Sequence, residues 1–319
     1  MKRVVLPALI LALLLLSVSS APGASAAAVK EFPLTDGVPV RITLGPDGAM
    51  WFSQRSPDKI SRIERSGQIT GFDLPPDTGP DGVTTGPDGN LWIAETTSNK
   101  VGRMTPQGVL TEFPVPSTDT HPEDIITGPD GNLWMTEFRG GHIARITPTG
   151  EITEFDIPTP NSHPVGIIVG LDGALWFCEW SANKIGRMTV DGVVTEELTV
   201  PTPGSLPSHI VVGSDGNLWF DEFGADQIGR VEPGGQITEY PLPSSNAKTS
   251  SMAVGADGNV WFSEFGANKV GRITPDGVVT EIRLPTRGSN PLGMAAGPGG
   301  RTVWFCEWGS GQIGAALSA

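Results

Sequence analysis

Seven tryptophans, Trp51, Trp92, Trp134, Trp176, Trp219, Trp261 and Trp304, stand about 42 residues apart, the period of β-propeller blades. Each marks the same place in a repeated unit. One copy reads Gly-Ala-Asp-Gly-Asn-Val-Trp-Phe-Ser-Glu from Gly255 to Glu264 and runs on through Lys269-Val270-Gly271-Arg272 to Thr280-Glu281. Inside a unit the apolar period is two, not 3.6. In the fifth copy Ile210-Val211-Val212, Leu218-Trp219-Phe220, Gln227 to Val231 and Ile237 to Tyr240 are β-rich runs. The Gly, Pro and Asp turns between them need positive or preset φ. Four antiparallel strands repeated seven times predict an all-β fold, a seven-bladed β-propeller. The last copy stops at Gln312-Ile313-Gly314, one strand short. Near the start, Val29-Lys30-Glu31-Phe32-Pro33-Leu34 matches the fourth-strand sequence Ile152-Thr153-Glu154-Phe155. The N-terminal strand is therefore expected to complete the last blade and remove an open edge.

The first 26 residues stand outside the repeat. Lys2 and Arg3 precede an apolar run from Val4 to Leu16, and Ala24-Ser25-Ala26 offers a small-residue cleavage site, the pattern of a secretory signal peptide. Residues 27–319 then form one propeller domain, secreted or extracytoplasmic. Removing Lys2 and Arg3 from 21 basic residues leaves 19 against 35 acidic ones, a net charge near −16. Such a surface repels phosphate backbones and anionic lipids, so nucleic-acid and membrane partners are excluded and a monomer is expected. Cys178 and Cys306 occupy the same place in the fourth and seventh units. Three blades apart, they are too distant for a disulfide and read as small buried hydrophobes.

Strand parity puts the two hairpin turns of every unit on one face. The aspartates of the first turn (Asp47, Asp88, Asp130, Asp172, Asp215, Asp257) read as turn chemistry and not as calcium ligands. The opposite face carries the loops that vary. Three residues after each key Trp stand Gln54, Glu95, Glu137, Glu179, Glu222, Glu264 and Glu307. Such a ring is either a scaffold device, as its repetition argues, or a metal-binding set in which Glu307, Glu137 and Glu179 are the candidates. The next position is Arg55, Thr96, Phe138, Trp180, Phe223, Phe265 and Trp308. Its five aromatic residues either stack a flat or cyclic small-molecule ligand or pack against neighbouring blades.

The lead-in to strand one differs most between copies. Three of the four histidines fall there, His121, His163 and His209, in consecutive blades. With Glu123, and with Asp81 and Glu137 nearby, they have the residue types of a general base or a divalent metal site. Isolated loop-capping histidines are the alternative. His142 starts a third strand and reads as a surface substitution.

The repeat Gly-x-Asp-Gly-x-Leu-Trp-Phe-x-Glu, with Asn-Lys-Ile-Gly-Arg and Gly-x-Ile-Thr-Glu-Phe after it, resembles the streptogramin B lyases, also called virginiamycin B lyases, over essentially the whole repeat region. The resemblance implies a seven-bladed propeller that linearises a cyclic depsipeptide by elimination at its ester, with Mg2+ and a histidine base. The positions matching that family's two histidines are Ser250 and Leu292, and Asn290 stands where it has a glutamate before proline. Glu307 is the nearest match to its remaining metal-binding glutamate. His121-Pro122-Glu123 offers an imidazole and a carboxylate in the inverted order. The functions this resemblance and these residues leave open are a lyase acting from a different sector, a non-catalytic ligand- or protein-binding propeller, and a metal-dependent lactonase.

Overall fold

The structure, a computed structural model, describes residues 29–318. The predicted signal peptide at residues 1–26 lies outside the described residues. Twenty-eight strands form seven four-stranded antiparallel sheets. Six blades use consecutive strands. The seventh is ordered Val29–Pro33, Gln312–Leu317, Thr302–Glu307, Pro291–Ala296. Phe32 lies opposite Ile313 and Glu31 opposite Gly314, so the closure expected from the sequence is found. Strand one of each blade packs against strand one of its neighbours, and these seven strands wall a central channel.

The repeated Gly, Asp and Trp form one device. Asp88 Oδ1 accepts from the Trp92 indole at 3.0 Å and from the Asn90 amide at 3.1 Å; Asp47, Asp130, Asp172, Asp215 and Asp257 do the same for their own tryptophans. The indole then lies flat on the first glycine, where a Cβ at Gly86 would come within 2.3 Å of Trp92. Blade seven lacks the Asp, and the Thr302 hydroxyl accepts from Trp304 at 3.0 Å instead. On the outer side of the indole, an aromatic residue of strand four stacks in five blades, as Phe72 on Trp51 at 5.5 Å and Phe32 on Trp304 at 5.3 Å. Inter-blade packing is thus a chain of aromatic and aliphatic clusters around the ring. Cys178 and Cys306 are free and buried, as expected.

Candidate functional site

The variable face gathers its side chains by a backbone device. In all seven blades the residue immediately before strand one is left-handed: Gly37, Gly79, His121, His163, Leu206, Lys248 and Asn290, with φ between 47° and 73°. This conformation is unfavourable for residues with a Cβ, but its repetition makes it a property of the scaffold. Where the residue is not glycine, its side chain reaches the channel rim. His121 lies 5.9 Å from the Phe138 ring, and His163 stacks on the other side of that ring at 4.7 Å. Trp180 packs on Phe223 at 5.0 Å, Lys248 Nζ lies over Phe223 at 5.0 Å, and Phe265 meets Trp308 at 6.1 Å. Of the two roles the sequence allowed the five aromatic residues, the structure shows the packing between blades. They pack pairwise across blade boundaries, and all keep partly or fully exposed faces at the rim.

The histidines separate into two environments. His121 Nδ1 is 3.6 Å from Glu123 Oε2 at the rim, beyond hydrogen-bond distance. His163 Nδ1 pairs with Ser181 Oγ at 2.7 Å. His209 does not join them. It points into the channel, where its Nε2 meets Arg41 Nη1 at 3.0 Å, and its own amide donates to Asp221. Burial, reinforced by Arg41, holds the His209 imidazole well below its usual pKa. The sequence cluster of three histidines is in fact two at the rim and one in the shaft.

Arg41 is the hub of that shaft. Its Nε donates to Asp81 Oδ1 at 3.0 Å, and its Nη2 lies 3.8 Å from Glu123 Oε1. Asp81 also takes a bond from Arg55 at 2.6 Å. Asp124 accepts from the amides of Ile125 and Ile167, and Asp221 from Ser208 and His209. Burial pushes the carboxyls of Asp81, Asp124 and Asp221 up to about 6, against the opposing pull of Arg41. Arg41, Asp124 and Asp221 escaped the sequence reading, yet the repeat marks them. Arg41 and Asp124 stand two residues after the strand-one proline, where three sister blades carry Gly82, Gly166 and Gly293. Asp221 falls where they carry Ser53, Ala94, Thr136, Cys178, Ser263 and Cys306.

The glutamate ring does not face the channel as a metal set. Glu95, Glu137, Glu179, Glu222, Glu264 and Glu307 are all fully buried. Each lies across the small strand-three residue of its own blade: a Cβ at Gly186 would meet Glu179 Oε1 at 3.0 Å, and one at Gly314 would meet Glu307 Oε1 at 2.8 Å. Beyond it stands a strand-four glutamate, opposite that same residue: Glu112, Glu154, Glu197, Glu239, Glu281 or Glu31. The strand-four partner usually ties down the preceding blade. Glu154 accepts from the Ser117 amide and hydroxyl at 3.0 and 2.8 Å, and Glu31 does the same for Thr286. Burial and the second carboxyl push Glu137 up to about 7 and Glu179 up to about 8. Glu307, Glu137 and Glu179 are thus each buried inside a different blade, and the structure does not bring them together as one metal set. Blade one replaces the pair by Gln54, bonded to Ser61 and to the Asp36 carbonyl, and by Gly71.

In the sector matching the family's base, Ser250 is buried with its hydroxyl 3.2 Å from Ser263 Oγ. The Leu292 carbonyl accepts from Ser263 at 2.8 Å, and Asn290 donates to the Phe265 carbonyl at 2.9 Å. Glu307 is held by Ser310 at 2.9 Å.

The model of the virginiamycin B lyase family matches residues 21–199 and 195–318. A solved streptogramin B lyase is 37% identical, with a TM-score of 0.87, over 92% of this chain and 98% of that one. Virginiamycin B lyase from Staphylococcus aureus is 38% identical with a TM-score of 0.85, over 91% and 99% of the two chains. A catalytically inactive histidine-to-alanine variant of the S. aureus enzyme, solved with quinupristin, matches with a TM-score of 0.86 at 38% identity over the same shares. No curated protein matches the chain.

Proposed function

The chain belongs to the virginiamycin B lyase family, and from that premise we propose that it is an extracytoplasmic carbon–oxygen lyase for a cyclic ester-containing peptide, with its base in blade three. The observation that supports this is the His121–Glu123 pair at the rim, 3.6 Å apart, beside the Phe138 ring. Glu123 faces Nδ1, so Nε2 is the nitrogen left for substrate. Catalytic contacts in ligand-free enzymes are often long and tighten on binding.

In the proposed reaction His121 Nε2 takes the proton from the carbon next to the ester-bearing carbon. The electron pair forms a carbon–carbon double bond, the C–O bond breaks, and the ester leaves as a carboxylate. No water is consumed, and the ring opens. Glu123 orients the imidazole and stabilises its protonated form. Phe138 and His163 offer a stacking surface for a macrocycle, continued around the rim by Trp180, Phe223, Phe265 and Trp308.

The resemblance also brings Mg2+, and the matched residues do not fit it. A hard cation wants several oxygen donors, carboxylates foremost. Leu292 offers an aliphatic side chain, the Ser250 hydroxyl is turned to Ser263, the Asn290 amide nitrogen to a carbonyl, and Glu307 is buried inside its blade. No step is therefore routed through the ion.

The same mismatch favours a second reading, a propeller that binds such a ligand without opening it. Linearisation of a streptogramin B, followed by mass and absorbance for wild type, His121→Ala and His163→Ala, separates the two. The lyase reading expects His121→Ala to lose about 10²–10⁴-fold in rate and His163→Ala to weaken binding more than turnover. Unchanged rates in His121→Ala overturn the assignment of the base. Binding without any product favours the second reading.

A further inference from the structure

We propose that Glu137, His142 and Glu154 form a binding site for a borderline-soft divalent cation of the Zn2+ type, on the flank of blade three and apart from the channel. Each residue offers one ligand atom, and these atoms lie within 4.8 Å of one another. His142 Nδ1 is 3.1 Å from Glu137 Oε2, and the other oxygen of Glu137 is buried without a partner. Two carboxylates and an imidazole nitrogen are a zinc-type donor set, which water completes at the fourth position.

Comparison between blades sets this place apart. The residue at the start of strand three is Lys59, Lys100, Lys184 or Lys269 in four blades and Gln227 or Gln312 in two. Where the carboxyl pair is present the lysine brings a cation to it: Lys100 lies 3.1 Å from Glu112, Lys184 3.8 Å from Glu197, and Lys269 pairs with Glu281. Orphan glutamate oxygens recur in those blades too, so the orphan alone means little. In blade three the fixed cation is gone and a metal-ligating side chain stands in its place. His142 is not the surface substitution its sequence position suggested, since its side chain is only 22% exposed.

The neighbours are also those of a metal site. His142 Nε2 lies 3.3 Å from the exposed Asp156 carboxylate, so Nδ1 is left as the ligand nitrogen and the outer carboxylate fixes the ring, as around histidine-bound zinc. Glu154 is held by the Ser117 amide and hydroxyl. Ligation needs the Nδ1 lone pair, so the cation replaces the Glu137–His142 hydrogen bond, and the ring proton sits on Nε2 facing Asp156.

The test is titration of the chelator-treated, untagged protein with ZnCl2 by calorimetry, with Co2+ absorption as a second readout of nitrogen and oxygen ligation. The expected result is one site per chain, a Zn2+-dependent rise in Tm, and loss of both in His142→Lys and His142→Gln. These substitutions install the residues of the sister blades and so keep the fold. His121→Ala should bind Zn2+ as wild type does, which keeps this site distinct from the proposed lyase centre. Absence of stoichiometric binding, equal binding by His142→Lys, or loss of binding in His121→Ala overturns the proposal.

Discussion

Arg41 Nη1 and His209 Nε2 meet at 3.0 Å across the channel, joining blade one to blade five. A guanidinium only donates, so Nε2 must accept and His209 keeps its proton on Nδ1. Burial, with Arg41 beside it, disfavours the charged imidazole and removes it from the list of rim bases. The pair also defines the electrostatics of the shaft, because Arg41 is the cation on which Asp81, Asp124 and Asp221 draw.

Arg41→Met keeps much of the volume and deletes that charge. Removing one partner from buried ionic contacts typically costs about 3–5 kcal/mol, because the remaining charges stay buried. Urea unfolding should show a loss in this range. The His209 imidazole should at the same time titrate closer to the usual histidine range, which NMR would read. A loss below about 1 kcal/mol would mean that the shaft is solvated and Arg41 is not its hub.

The buried carboxyl pairs make stability depend on pH in an unusual direction. Glu179 is pushed to about 8 and Glu222 to about 8 from a usual 4.5, and Glu95, Glu137 and Glu264 to about 7. A raised carboxyl means the folded chain binds more protons than the unfolded one above pH 4.5, so stability falls as pH rises through the folded values. Tm should therefore be higher at pH 5 than at pH 8.5. The turn aspartates act oppositely, since Asp88 and Asp130 are held below the usual range and lose their contribution only in stronger acid. Glu179→Gln, which copies Gln54 of blade one, should raise Tm at pH 8.5 and leave it nearly unchanged at pH 5. A Tm flat across this window would show that the pairs are hydrated.

Much of this architecture could be read from the chain because each blade repeats the residues that build it. The Asp–Trp hairpin, the strand periods and the Glu31–Phe32 match to Glu154–Phe155 are local patterns, and a local pattern survives in sequence. The site is different in kind. Arg41 reaches His209 over 168 positions, a contact between blades that no spacing inside one copy can show. Glu137 and Glu179 look alike in the repeat, and strand four places a glutamate beside each, Glu154 and Glu197; only the strand-three residue, His142 against Lys184, tells them apart. His142 was misjudged because its partners come from strands two and four, on either side of it. The most informative departures were those in a single copy: Arg41 and Asp124 where others have glycine, His142 where others have lysine.

The Asp–Trp hairpin can be weighed blade by blade. Asp130 satisfies the Trp134 indole at 3.1 Å and the Asn132 amide at 3.2 Å. Asp130→Ala leaves a buried indole N–H unpaired, at a cost of about 1–3 kcal/mol. Thr302→Val in blade seven also orphans an indole N–H, but the lost acceptor is a neutral hydroxyl with no second bond to the turn, so the expected cost is lower, about 1 kcal/mol. Chemical denaturation of the two variants should rank them in that order. The reverse ranking would mean that the aspartate acts through the turn backbone and not through the indole.

Ring closure gives the last prediction. Phe32 stacks on Trp304 at 5.3 Å with the planes 12° apart, and Phe113 makes the equivalent contact with Trp92 at 5.8 Å. The two differ in connectivity. Phe113 sits in a blade whose four strands are consecutive in sequence, whereas the strand of Phe32 is joined to blade seven by non-covalent contacts: pairing with Gln312–Leu317, the stack on Trp304, the Leu34 amide on Gly311 and Glu31 on Thr286. Truncating a buried phenylalanine costs about 3–5 kcal/mol; Phe32 is buried, and Phe113 is half-buried and falls at or below the low end of that range. Phe32→Ala should reach the upper end, because loosening its strand also opens the ring, while Phe113→Ala, which leaves all four strands of its blade covalently consecutive, should stay at the lower end. Hydrogen exchange provides the finer reading. In Phe32→Ala the amides of Gln312–Leu317 should lose protection before those of any other blade, and uniform loss around the ring would show that closure is no weaker than the other joints.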